Sequence, residues 1–230
     1  MLFRSQQPGS LTTIDLSESP SPGEAPNWRK LPVSLGLVVL SAAGFALFSF
    51  DGDLSLVRLL TFTGFEVQGR QIVYHSDSWD WWRSLTPVFL HFGWLHVVFN
   101  CLWTWDLGGK IESNCGPVTM LALVLLSAVG SNTAQYVVSG PSLFGGMSGV
   151  VYALLGFSWV VQSLCPRLGI RNPTGIYVLM IGWLFFCMSG VIEVLGFGAI
   201  ANGAHVGGLV LGLLLGLPYA FYCRLVRGLG

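Results

Sequence analysis

From Leu31 to the C-terminus, long apolar runs alternate with short polar breaks. A membrane crossing needs about 20 mostly apolar residues, and Leu31–Phe50 meets that length without a charge. Trp94–Ser113 and Pro117–Val138 follow, then the shorter Ser148–Cys165 and Tyr177–Val191, and Ala201–Tyr222 closes the series. The pattern predicts an all-α polytopic membrane protein with six transmembrane helices. The short fourth and fifth runs suit segments buried among other helices and starting below the membrane surface. Between the first two runs, residues 51–93 are mixed. Trp79, Trp81, Trp82 and Phe92 there interleave with Asp77, Asp80 and Arg83. Such aromatics favour the lipid–water boundary, and a connection this long is unusual without a role. A long, membrane-associated first outer loop is expected.

Composition sharpens this. The 230 residues are 53% hydrophobic and only 10% charged, against about 25% charged in soluble domains. A net charge of zero excludes a broad basic surface, so no nucleic-acid partner is expected. The partner it does imply is the lipid bilayer. Cys101, Cys115, Cys165, Cys187 and Cys223 are odd in number, widely spaced and without a CxxC, which reads as buried free thiols. Residues 1–30 are polar and rich in Ser, Pro and Glu. They read as a disordered tail, followed by a six-span domain over 31–225 and a short C-terminus over 226–230. With the tail in the cytoplasm, Arg4, Arg29, Lys30, Lys110, Arg167, Arg171, Arg224 and Arg227 fall inside. Only Arg58, Arg70 and Arg83 then fall outside, so the excess of cytoplasmic basic residues puts both termini in the cytoplasm.

Candidate chemistry sits at the outer ends of the runs. Ser148 stands in Gly145-Gly146-Met147-Ser148-Gly149 at the mouth of the fourth, and His205 lies at similar depth in the sixth. A serine needs a neighbouring base to become a nucleophile, and these two meet only if the fourth and sixth helices pack together. Gly149, Ala153 and Gly156 on one, with Ala204, Gly208 and Gly212 on the other, form small-residue stripes that permit close approach. Such stripes alone are common in membrane proteins. His96 and Asn100 share one helical face and offer donors for an oxyanion, and the Ser148 N–H at a helix start adds another. A single intramembrane His or Asn is more often an interhelical hydrogen bond, but several converge here. Tyr152, one turn below Ser148, either buttresses the histidine or packs in the core. His91, five residues before His96 and so about 140° around a helix, does not point clearly to the same place. No acid is placed to complete a triad: Asp106 and Glu112 lie deep toward the other side. A zinc enzyme would want HExxH, which is absent, and neither metal nor cofactor is expected.

The blocks His91-Phe92-Gly93-Trp94-Leu95-His96-Val97-Val98-Phe99-Asn100, Gly145–Tyr152 and Ala201-Asn202-Gly203-Ala204-His205 together resemble the rhomboid intramembrane serine proteases, bacterial members above all. The resemblance runs from about Trp82 to Gly216. It implies a six-helix rhomboid-like bundle in a bacterial inner membrane, cutting transmembrane protein substrates. Ser148 would be the nucleophile and His205 the base. His96 and Asn100 would line the oxyanion hole, and Tyr152 would pack on His205. Gly146 and Gly149 would flank the nucleophile, while Trp82, Arg83 and Glu112 match structural positions. Gly203 and Gly207 match a close contact between the fourth and sixth spans. Pro87 departs from the family pattern, standing where relatives carry a histidine. The polar tail replaces a folded cytoplasmic domain, and one residue is inserted between Gly140 and Gly145. A non-catalytic helix-binding chaperone and a small transporter are the rival readings; the retained Ser148 and His205 weigh against the first, and the lack of an internal repeat against the second.

Overall fold

The computed structural model describes residues 31–50, 54–75, 80–195, 199–226 and 228. The expected N-terminal tail, Asp77 and Trp79 of the outer connection, and residues 227, 229 and 230 lie outside the described residues. Helix α1 (Pro32–Phe50) leads into the long connection that precedes Trp94. This holds α2 (Ser55–Leu60), strands β1 (Gly64–Gln68) and β2 (Gln71–His75), and 3-10 turns at Trp81–Ser84 and Thr86–Phe89. A near-continuous helical rod follows, made of α3 (Trp94–Trp103), a π turn over Thr104–Gly108 and α4 (Gly109–Cys115). Then come α5 (Pro117–Ser139), α6 (Ser148–Leu164), α7 (Thr174–Met188), the single turn α8 (Val191–Val194) and α9 (Asn202–Leu225). Among the described residues α1, α5 and α9 are long and apolar enough to cross a membrane, and α6 and α7 are shorter apolar helices. The protein is an integral membrane protein built of apolar helices.

The hairpin corrects the all-α expectation. Phe65, Val67, Ile72, Val73 and Tyr74 are β-branched or aromatic, types that suit a pleated surface. Gln68 pairs with Gln71 across Gly69-Arg70, a two-residue loop of the kind hairpins prefer. The connection is tied down by Arg83, which is buried. Its Nη1–H donates to the carbonyls of Arg58 (2.7 Å) and Thr61 (2.9 Å), and its Nε–H to Asp80 (3.2 Å). Trp82 packs edge-on against Trp81 beside it, and its carbonyl accepts from Thr86. Asn132 of α5 donates to the Ser84 carbonyl, joining the loop to the bundle.

Helix α6 is the centre. It is buried on almost every side, so it has no lipid-facing length to match and can be short. Its closest partner is α9. A Cβ at Gly208 would strike the Gly149 carbonyl, and one at Gly212 the Ala153 carbonyl, so glycine alone lets the two backbones touch. Gly203 and Gly207 do something else. They face Gln135 and Ala134 of α5, which corrects the expected contact with the fourth helix. Successive glycines on α9 point to different neighbours because 100° separates adjacent helical positions. Helix α7 is also corrected: it is peripheral rather than buried. Tyr177, Met180, Leu184 and Cys187 form its only buried stripe, while Val178, Leu179, Trp183, Phe185 and Met188 are exposed where lipid would cover them.

Glu112 caps α1. Its carboxylate accepts the N–H groups of Val33 (2.8 Å) and Ser34 (2.7 Å) and the Ser34 hydroxyl (2.7 Å). These are orphan donors of a helix start, and a negative charge suits that end of the helix. The rod and α5 are separated by Gly116 at φ 88° and Pro117 at the first helical position, a stop and a start in adjacent residues.

Candidate active site

Four elements converge near one end of the bundle: the loop before α6, α3, α9 and the Pro87–His91 segment. The loop reaches Ser148 through Gly145 and Gly146. Gly146 has φ 108°, a conformation side chains resist, and its N–H donates to the Pro87 carbonyl at 2.9 Å. A Cβ at Gly145 would stand 2.8 Å from the Leu90 carbonyl. These contacts press the loop onto the connection after α1 and present Ser148, half-buried, at the first position of α6.

His205 Nε2 lies 2.8 Å from Ser148 Oγ. Where Nε2 accepts the serine proton, Nδ1 carries the ring hydrogen. His205 Nδ1 is buried with no hydrogen-bond partner among the described residues, so no third side chain joins the Ser148–His205 contact there. Tyr152 packs on the His205 ring with centroids 5.0 Å apart, and its hydroxyl donates to the Met180 carbonyl of α7 at 2.9 Å.

On the other side of the loop, His96 and Asn100 of α3 both border Gly146: a Cβ there would strike the His96 ring and come 3.5 Å from Asn100 Nδ2. Asn100 Nδ2 is buried and unpartnered among the described residues. A buried donor without an acceptor costs free energy, and here it borders the loop that leads to Ser148. A reacting carbonyl oxygen would satisfy it. Gly149 meets Ser131 of α5 and the Ala204 carbonyl, which lets α5, α6 and α9 close below the dyad.

Of the residues expected from sequence, Ser148, His205, His96, Asn100, Tyr152, Gly146 and Gly149 are brought together. Gly203 sits two residues before His205, against α5. Trp82 and Arg83 belong to the connection after α1 and Glu112 to the opposite end of the rod.

A family model described as the rhomboid domain matches residues 78–221. The chain belongs to the rhomboid family. It is 39% identical over 184 residues to the rhomboid protease GlpG of Yersinia pestis (strain Pestoides F), a match covering 80% of this chain and 61% of that protein. It is 40% identical to the rhomboid protease GlpG of Serratia proteamaculans (strain 568) with the same coverage. The chain thus spans about three fifths of the length of these relatives.

This rhomboid carries site residues that periodicity did not find. His91 precedes α3 rather than continuing it, so the angular reckoning that pointed it away does not apply. It is fully buried, its ring lies 5.0 Å from His96, and it bridges two backbones. Nδ1–H donates to the Phe89 carbonyl (3.2 Å), while Nε2 accepts the Met147 N–H (3.4 Å) beside Ser148. Burial, with the neighbouring His96, pushes its pKa from 6.5 down to about 4, against a smaller opposing effect of the Phe89 carbonyl. Gln135 and Asn202 were also missed. Their only sequence signal is a polar amide inside or at the edge of an apolar run.

Proposed function

We propose that this rhomboid is an intramembrane serine endopeptidase that hydrolyses peptide bonds in or beside the transmembrane helices of membrane proteins. The 2.8 Å contact between Ser148 Oγ and His205 Nε2 carries the reading. His205 takes the hydroxyl proton as Ser148 attacks the scissile carbonyl, then returns it to the leaving amine. The oxyanion that forms meets Asn100 Nδ2, the His96 ring and the Ser148 N–H at the start of α6. Water hydrolyses the acyl-enzyme in a second round of the same proton transfers. No group beyond the chain's own is needed.

A peptide bond inside a helix is screened by its own hydrogen bonds, so the substrate must unwind locally, and helix-breaking residues near the scissile bond favour cutting. The bundle has six spans, with α3 to α4 as the second and both termini in the cytoplasm of a bacterial inner membrane. The eight-to-three split of basic residues supports that orientation. The dyad then faces the exterior, from which water enters.

The test is cleavage of a single-span substrate in proteoliposomes by wild type and by Ser148→Ala and His205→Ala. Cutting that falls by about 10⁴-fold or more in both variants establishes the dyad. A folded wild type that binds but never cuts several substrates removes the enzyme reading and leaves a helix-binding chaperone.

A further inference from the structure

Helix α9 starts without a cap of its own. Its N-cap position is Ala201, whose methyl accepts no hydrogen bond, although the first N–H groups of any helix lack intrahelical partners. The Ala204 N–H donates instead to Gln135 Oε1 at 3.1 Å, from α5 and 69 residues earlier. Gln135 is buried, and its Nε2–H is engaged by Ser139 Oγ at 3.0 Å. One end of the amide is therefore fixed on α5 and the other on α9. Gly203 makes the approach possible, since a Cβ there would stand 3.0 Å from Gln135 Cα. On the opposite flank, Asn202 Nδ2–H donates to the Cys187 carbonyl of α7 at 3.3 Å.

The next residue after Ala204 is His205. Its Nδ1 has no partner among the described residues, so no side chain there steers the ring from its far nitrogen. The ring's place is set by Tyr152 and by where the first turn of α9 carries the His205 backbone.

We propose that Gln135 is a positioning residue for His205, an N-cap supplied to α9 by another helix, and that it does by backbone placement what a third, acidic residue does in a triad. This rests on the protease reading above. Losing the cap lets the first turn fray and the Nε2···Oγ distance spread, while the substrate-binding surface is untouched.

The experiment compares wild type, Gln135→Leu and the double variant Gln135→Leu/Ala201→Ser in proteoliposomes. It measures kcat and KM on a single-span substrate, the rate at which a fluorophosphonate labels Ser148, and Tm. A serine at position 201 is placed to cap the same Ala204 N–H from within α9. Misplacing a catalytic group by about 1 Å can cost about 100-fold. The expected result for Gln135→Leu is a loss of at least about tenfold in kcat and labelling rate, with KM within about twofold. Ala201→Ser is expected to restore most of that loss, which a role confined to packing would not allow. Wild-type kcat and labelling in folded Gln135→Leu overturns the proposal, as does a double variant no better than the single. If the single variant does not fold, recovery of folded, active protein by Ala201→Ser supports the proposal and its absence overturns it. Wild type that neither cuts nor labels removes the protease reading itself, and the positioning role with it.

Discussion

His91 shows how much a single buried imidazole can hold. It accepts the Met147 N–H only while neutral at Nε2, and its pKa falls from 6.5 unfolded to about 4 folded. The unfolded chain then binds the extra proton between those values, so the stabilisation is complete above pH 6.5 and is lost as pH falls toward 4. His91→Asn should cost about 1–3 kcal/mol at neutral pH, mostly from the stranded N–H, and the gap to wild type should narrow by pH 4. Thermal unfolding in detergent at both pH values measures it; an equal gap at both would mean that His91 acts by volume alone. Glu112 makes a separate case. Glu112→Ala strands two N–H groups of α1 and should cost about 2–4 kcal/mol, yet leave the labelling rate of Ser148 in folded protein unchanged, because it sits at the far end of the rod. Ser148 and His205 were legible because their signal is local: a serine among glycines and an ionisable group in an apolar run. His91 and Gln135 were not, because their partners lie 56 and 69 residues away and no local pattern records such a pairing.

At the scale of elements, the same residue type has opposite consequences on different helices. Gly212 lies against the Ala153 backbone of α6, so a methyl group has only backbone to displace, whereas nothing lies within 4 Å of the Cβ position at Gly182 on α7. Gly212→Ala should therefore lower Tm sharply, at a cost of about 1–3 kcal/mol or more, and Gly182→Ala should be neutral. Equal Tm shifts would mean that α6 and α9 do not touch as closely as the glycines indicate. The apolar runs foretold each long helix to within a few residues, because length and hydrophobicity alone decide a span. The stripe Ala204, Gly208 and Gly212 likewise named its partner helix. The hairpin and the π turn were not foreseen. Five-residue strands fall below the resolution of a membrane-scale pattern, and a single π turn leaves the apolar run around it unchanged. The periphery of α7 was misjudged for a related reason: an all-round apolar helix looks alike whether protein or lipid covers it.

For the whole molecule, orientation decides from which side water and substrate reach the dyad. Ser148 at the start of α6 and His205 in the first turn of α9 lie at the same end of two parallel helices, and Glu112 marks the other end at the start of α1. If the N-terminus is cytoplasmic, the hairpin turn at Arg70 is outside with the dyad, and the loop between α6 and α7 holding Arg167 is inside. An excess of basic residues on the inner side favours this arrangement over its inverse. Arg70→Cys and Arg167→Cys, each in a chain whose five native cysteines are replaced by alanine or serine, distinguish the two. A membrane-impermeant maleimide should label Arg70→Cys in cells whose inner membrane is intact, and Arg167→Cys only after that membrane is opened. The reverse pattern would place the dyad toward the cytoplasm, and water and leaving peptide would then exchange with that compartment. Both exposed positions lie outside the described bundle contacts, so the label reports sidedness rather than burial.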